Sequence, residues 1–241
     1  MSDEMKNLFM EELKNIMLSD EFKAVIKDSV NDTDKKSTKK NKSTSSKATR
    51  VITVEEFTNI ITAIKTGFSY TEDGKTKKFR PNPRMAFALQ LQANLGIRIG
   101  DVLSLTPNSF KPNGRGGYMI DIIEEKTKKH RAFDVPEPVY NAIQTYVDDN
   151  ELAKYDLLFP IKVRGLQKNL KIVTEYLELD NVSTHSFRKF YAMRIFENND
   201  YNFEIVRELL QHSNVAVTQK YLGVTSKQVS KAIDNHNYWV M

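Results

Sequence analysis

The chain contains no cysteine, which removes disulfides, thiolate metal sites and a cysteine nucleophile from consideration. It also lacks any apolar run near the roughly 20 residues that a membrane-crossing helix needs, and its first residues do not show a secretory signal pattern. A cytoplasmic location with no membrane partner is expected. No group of acidic residues has the spacing of a two-metal nuclease centre. A metal centre of that kind is not expected, and no residue is assigned to a cofactor.

What is present is ordinary in bulk and uneven in detail. The 241 residues are 40% hydrophobic and 28% charged, enough for one good-sized core or a domain with appendages. The net charge of +5 is not spread evenly: residues 1–34 hold four basic and nine acidic side chains, and residues 35–50 hold seven basic and none acidic. Residues 51–241 hold 25 basic and 22 acidic. A phosphate-binding face on this larger part must therefore come from local clustering rather than overall charge.

The pattern divides the chain into four stretches. Residues 1–34 carry Met5, Leu8, Phe9, Leu13, Ile16 and Met17 at helical spacing, predicting a short acidic amphipathic helix that must pack on something. Residues 35–50, rich in Lys, Ser and Thr, read as a basic flexible linker. Residues 51–235 read as one mostly α-helical domain with a small antiparallel β-hairpin or sheet, and residues 236–241 as a tail with the single Trp. Within the domain, Thr53 and Glu56 form a capping-box pattern, and Pro83 and Gly96 bracket an apolar helix. Thr71 to Lys78 reads as a polar loop. Tyr118–Ile123 and Arg131–Val135 read as strands joined by a lysine-rich tip. Further helices are expected over Pro136–Val147, Gly165–Leu177, His185–Glu197, Phe203–Leu210, Val215–Leu222 and Ser226–Ile233.

Six residues stand out in this frame. His185 and Arg188 are three apart in a helical segment, so they share one face. His212 lies in Leu210-Gln211-His212-Ser213, and Tyr221 in Gln219-Lys220-Tyr221-Leu222. Arg98 sits where one helix gives way to the next, and Lys126 lies on the hairpin tip. Each has a plain reading alone: a solvated arginine, a capping histidine, a soluble turn, a core tyrosine.

In this order and local context, the six residues resemble the signature of the tyrosine recombinase or phage integrase family: Arg, Lys, His-x-x-Arg, His, Tyr. The resemblance covers about residues 51–235 and implies the recombinase catalytic-domain fold. It also implies cleavage and rejoining of DNA through a covalent 3′-phosphotyrosine, without metal or ATP. Arg98 and Arg188 would then hold nonbridging oxygens, Lys126 would protonate the leaving 5′ oxygen, and His185 would take the proton of Tyr221. His212 would bond a nonbridging oxygen. Lys128 and Lys129 stand close enough to Lys126 to compete for its role. The implied partners are double-stranded DNA, a homotetramer on DNA, and an accessory DNA-bending protein in some settings. Gln211 and Lys189 replace a common Gly and His of the pattern, and neither removes a catalytic group. Family members also carry a DNA clamp of about a hundred residues ahead of this domain. With only a short helix and tether in residues 1–50, a reduced clamp, outside help or tail-assisted binding is expected. A noncatalytic DNA-binding regulator that retains the fold is the alternative reading.

Overall fold

The computed structural model describes residues 49–222. The N-terminal helix, most of the basic linker, the Ser226–Ile233 helix and the tail lie outside the described residues. Thr49 and Arg50, at the end of the expected linker, are docked. The Arg50 guanidinium grips Glu56 through two bonds of 2.8 and 2.6 Å, and the Arg50 amide donates to the Asn181 carbonyl.

Eight helices, a hairpin and a three-stranded sheet follow among the described residues. Helix α1 (Val54–Thr66) opens with the expected reciprocal box, Thr53 Oγ1 accepting from the Glu56 amide and Glu56 accepting from the Thr53 amide. It buries Ile60, Ile61 and Ile64. Strands β1 (Phe68–Glu72) and β2 (Lys75–Phe79) form an antiparallel hairpin where a loop was expected. Its root is apolar: Phe68 stacks on Phe79 and on Tyr176. Its tip is polar, so sequence pattern alone resembles a solvated turn.

Helix α2 (Pro83–Leu95) is the spine of the domain. Asn82 caps its start, Pro83 takes a first-turn position where no amide hydrogen bond is missed, and Met85, Ala86, Ala88 and Leu89 are fully buried. Gly96 ends it at φ +61°, and a Cβ there would lie 2.2 Å from a Tyr191 ring carbon. Only glycine fits, which sets the turn into the short helix α3 (Ile99–Leu103). Strands β3 (Phe110–Pro112), β4 (Tyr118–Ile123) and β5 (His130–Val135) form one antiparallel sheet in sequence order. The β4–β5 hairpin is as expected; β3 was not anticipated, having only three residues.

Helices α4 (Glu137–Asp149), α5 (Val163–Tyr176) and α6 (Thr184–Asn198) complete the main core with Ile143, Leu166, Leu170 and Phe187. A second, smaller cluster joins the far half of α6 to α7 (Phe203–Leu210) and α8 (Val215–Leu222). It consists of Ala192, Phe196, Val206, Leu210 and Leu222, with Tyr221 packed against it. Seven of the expected helices and the β4–β5 hairpin thus appear at or near their expected bounds.

Candidate active site

The site grows from α3 and the β4–β5 turn. Arg98 occupies the N-cap position of α3 in an extended conformation and makes no capping bond with its side chain. Its guanidinium is free to reach sideways, and Nη1 donates to Glu124 Oε2 at 2.5 Å. Glu124 directly follows β4 and is 1% exposed. Thr127 Oγ1 donates to the same oxygen at 2.6 Å, and Arg131 Nη1 donates to Oε1 at 3.1 Å. Burial alone would push the Glu124 carboxyl up; the bonds from Thr127, Arg98 and Arg131 outweigh that and hold it at about 2. It is therefore ionised at any working pH.

The turn after Glu124 is tight. The Lys128 amide donates to the Glu124 carbonyl and the Glu124 amide to the Lys129 carbonyl, both at 2.9 Å. Lys128 takes φ +55° to close it. Of the three competing lysines, Lys126 lines a cleft of about 350 Å³ and Lys128 and Lys129 do not. Arg98, His185 and Arg188 line the same cleft, with Gln92, Asp101 and Thr184. Asp101 is buried too: its Oδ1 accepts from the Glu125 amide at 2.8 Å.

Helix α6 delivers two residues to this cleft because Ser183 caps it. Ser183 Oγ accepts from the His185 amide at 3.2 Å, which places His185 in the first turn and Arg188 one turn on. His185 lies at the exposed mouth. Partial loss of solvation and then the charges of Arg188, Lys126 and Arg98 lower its pKa, so its ring is neutral and able to accept a proton at neutral pH. Arg188 is 4% exposed. Burial lowers its pKa to about 10, which leaves it charged. Nη2 donates to the Leu210 carbonyl at 3.1 Å, and Nη1 has no partner among the described residues.

His212 and Tyr221 do not line the cleft. Both stand beside Arg188, whose charge each of them feels. Gln211 leaves α7 at φ +55°, turning the chain so that His212 Nδ1 comes within 3.0 Å of the fully buried Thr218 hydroxyl. Burial first, then Arg188 and Arg98, depress the His212 pKa to about 4. The Tyr221 ring meets the His212 ring edge-on, centroids 5.0 Å apart. Lys189 Nζ lies 5.2 Å from the Tyr221 ring centroid while donating to the Thr49 carbonyl at 2.8 Å. The phenol oxygen is buried and has no hydrogen-bond partner among the described residues. Burial raises its pKa, opposed chiefly by Arg188.

Four of the six residues expected from sequence thus share one cleft, and the other two adjoin it through Arg188. Sequence reading missed the groups that hold them: Glu124, Asp101, Thr127 and Thr218. The one available signal was an acidic residue placed directly after an apolar strand and two positions before a lysine. Among the described residues, no cluster of three or more His, Asp or Glu is arranged to hold a metal ion, and no helix is long and apolar enough to cross a membrane.

These features define a mostly helical domain whose cleft presents guanidinium, ammonium and imidazole groups next to a buried phenol. The chain belongs to the phage integrase family, whose family model matches residues 50–228. It is similar to a probable integrase/recombinase of Acholeplasma phage L2, 24% identical over 156 residues that make up 63% of this chain and 53% of the phage protein. It is also similar to the tyrosine recombinase XerD of Rhizobium meliloti, 23% identical over 199 residues, 78% of this chain and 61% of the relative. The chain therefore spans about half to three-fifths of these relatives' length. In fold it resembles the XerH site-specific recombinase bound to difH substrate, with a TM-score of 0.55 at 18% identity over 83% of this chain and 58% of that one. It likewise resembles the catalytic domain of bacteriophage HP1 integrase, with a TM-score of 0.52 at 16% identity over 78% and 95%.

Proposed function

We propose that this protein is a site-specific DNA recombinase of the integrase type, which cuts and rejoins strands through Tyr221. The observation that carries the reading is the convergence of Arg98, Lys126, His185 and Arg188 on one cleft, with Tyr221 against Arg188. A phosphodiester resists attack because its charge repels nucleophiles and its alkoxide leaves poorly. Two guanidinium groups offset the first obstacle by bonding nonbridging oxygens as charge grows on them. Arg188 suits this role because its Nη1 is buried and, among the described residues, unpaired, and such a donor gains a bond that water does not already satisfy.

Tyr221 Oη attacks phosphorus and forms the phosphotyrosine bond as the bond to the 5′ oxygen breaks. The phenol is protonated at neutral pH, since burial raises its pKa further. Its proton passes to neutral His185, and the 5′ oxygen takes a proton from Lys126. His212, held by Thr218, donates to a nonbridging oxygen. Rejoining reverses these steps, so the energy of the broken bond is retained without ATP, metal or cofactor. The partner is double-stranded DNA carrying a recombination site. Complete strand exchange requires four copies on two such sites, with an accessory DNA-bending protein where one is supplied.

A DNA substrate nicked so that the cleaved end diffuses away tests the reading. The wild-type chain is expected to accumulate a covalent protein–DNA adduct and Tyr221→Phe none. An adduct that survives in Tyr221→Phe would overturn the assignment. Specific DNA binding with no adduct from the wild type would instead favour the noncatalytic regulator.

A further inference from the structure

We infer that Glu124 is a positioning residue that fixes Arg98, the Lys126 turn and the His212 loop in one geometry through its single carboxylate; the inference rests on the proposed strand cleavage. Its motivation is connectivity. Oε2 accepts from Arg98 at 2.5 Å and from Thr127 at 2.6 Å. Thr127 adjoins Lys126 on the tight turn, so this bond anchors the turn that carries the lysine into the cleft. Oε1 accepts from Arg131, whose Nη2 donates to the Leu209 carbonyl at 2.5 Å. The next carbonyl, that of Leu210, accepts from Arg188. The last turn of α7 is thereby held at consecutive carbonyls by two guanidinium groups, with only Gln211 between it and His212.

Charge explains why a carboxylate sits here. Arg98, Arg131 and Arg188 are mutually repulsive, and Arg131 and Arg188 are almost fully buried. An anion between Arg98 and Arg131 lets both remain where a phosphate can later be bound beside them. A phosphate arriving in the cleft would otherwise have to gather these groups itself, at a cost to the rate. Glu124 touches neither substrate nor reacting atoms in this account; it acts through Arg98, Lys126 and His212.

The full chain carrying Glu124→Gln tests this, since glutamine keeps the shape while removing the charge and one acceptor. Two quantities are compared with wild type on the nicked substrate: affinity for uncleaved DNA and the single-turnover rate of adduct formation. Glu124→Gln is expected to lower the rate by about 30- to 100-fold, the scale of small misplacements of reacting groups, with affinity changed by less than about threefold. Thr127→Val, which removes one bond and exposes no buried charge, is expected to lower the rate by about three- to tenfold with affinity again unchanged. Ile143→Ala, in the main core on α4, serves as a control of reduced melting temperature and is expected to keep the wild-type rate per folded molecule. Equal losses of rate and affinity in Glu124→Gln, a wild-type rate in that variant, or a matching rate loss in Ile143→Ala would each overturn the inference. A wild type that forms no adduct would overturn the cleavage reading itself, and this inference with it.

Discussion

Around Glu124 hydrogen bonds converge: three side chains meet one carboxylate and two guanidinium groups cap successive carbonyls, although Asp101 Oδ2 and Gln92 Oε1 nearby have no partner among the described residues. Around Tyr221 pairing is sparse. Among the described residues the phenol oxygen has no hydrogen-bond partner, Arg188 Nη1 has none, and the His212 ring bonds only Thr218. The two regions also differ in packing. The arginine region is rooted in the main core through α2 and α6, whereas α7 and α8 rest on a small cluster of Phe196, Val206, Leu210 and Leu222. The lesson is a division of labour. Charged groups that must stay put before substrate arrives are locked by buried hydrogen bonds, where a wrong geometry would strand a charge. On the proposed mechanism the phenol has to leave its burial to reach phosphorus, and it is held by ring contacts with His212 and Lys189 and by apolar packing, which prescribe a single orientation less strictly than hydrogen bonds do.

If that difference is real, breaking the paired region should cost most. Arg131→Met keeps much of the side-chain volume but leaves Glu124 with one cation fewer and the Leu209 carbonyl without its donor. A loss of about 3–5 kcal/mol is expected, the scale for removing one partner of a buried ion pair, and urea unfolding measures it. A loss below about 1 kcal/mol would mean that water replaces the guanidinium and that the region is less dry than its burial implies. In the other region, Leu210→Ala empties part of the small cluster and should cost about 2–4 kcal/mol. Its distinguishing readout is hydrogen exchange. Faster exchange confined to residues 203–222 would support a module that opens separately, and uniform acceleration through α2 would merge the two regions into one cooperative unit.

Acid should separate the regions by pH. His212 is depressed from 6.5 to about 4, so between those values the unfolded chain binds a proton that the native chain refuses. Stability is then lost as pH falls from 6.5 toward 4, with His185, also depressed, acting in the same direction. Glu124 is depressed from 4.5 to about 2, so its contribution is complete above 4.5 and is lost as pH falls through the lower window. Because His212 is only partly buried, its share is discounted to roughly 1–2 kcal/mol. The slope of stability between pH 4 and 6.5 should therefore shrink in His212→Gln, while the acid limb below pH 4.5 should persist. An unchanged upper slope would show that His212 is hydrated in the native protein.

How much of this could be read before folding follows the same divide. Local rules announced themselves: the box at Thr53 and Glu56, the proline and glycine around α2, and the apolar run of β4 after a glycine-rich turn. The hairpin β1–β2 escaped because only its root is apolar, so Thr71 to Lys78 has the composition of a solvated turn. The six candidate residues were legible as types in order, through their resemblance to a family, yet order does not say which of them share a cavity. Glu124 was illegible for a physical reason: its Arg98 partner lies 26 positions away, and no local period encodes a pairing at that distance. A buried carboxylate looks in sequence like any surface glutamate beside lysines.

The smallest effect expected is also the one that probes the tyrosine region most finely. Thr218 is fully buried on α8, three residues before Tyr221, and its hydroxyl is 3.0 Å from His212 Nδ1. Thr218→Val preserves the shape and removes the hydroxyl, leaving the imidazole nitrogen unpaired at a cost of about 1 kcal/mol. If the Thr218 bond orients the ring, the freed imidazole should rotate, and its edge-on contact with Tyr221 should be lost with it. The ring resonances of Tyr221 would then shift in the NMR spectrum while those of Phe187, in the main core, stay in place. Equal displacement of both would mean that α6 transmits the change and that the two regions are less independent than their packing implies. No displacement of either would mean that the small cluster, rather than the threonine hydroxyl, sets the position of the imidazole.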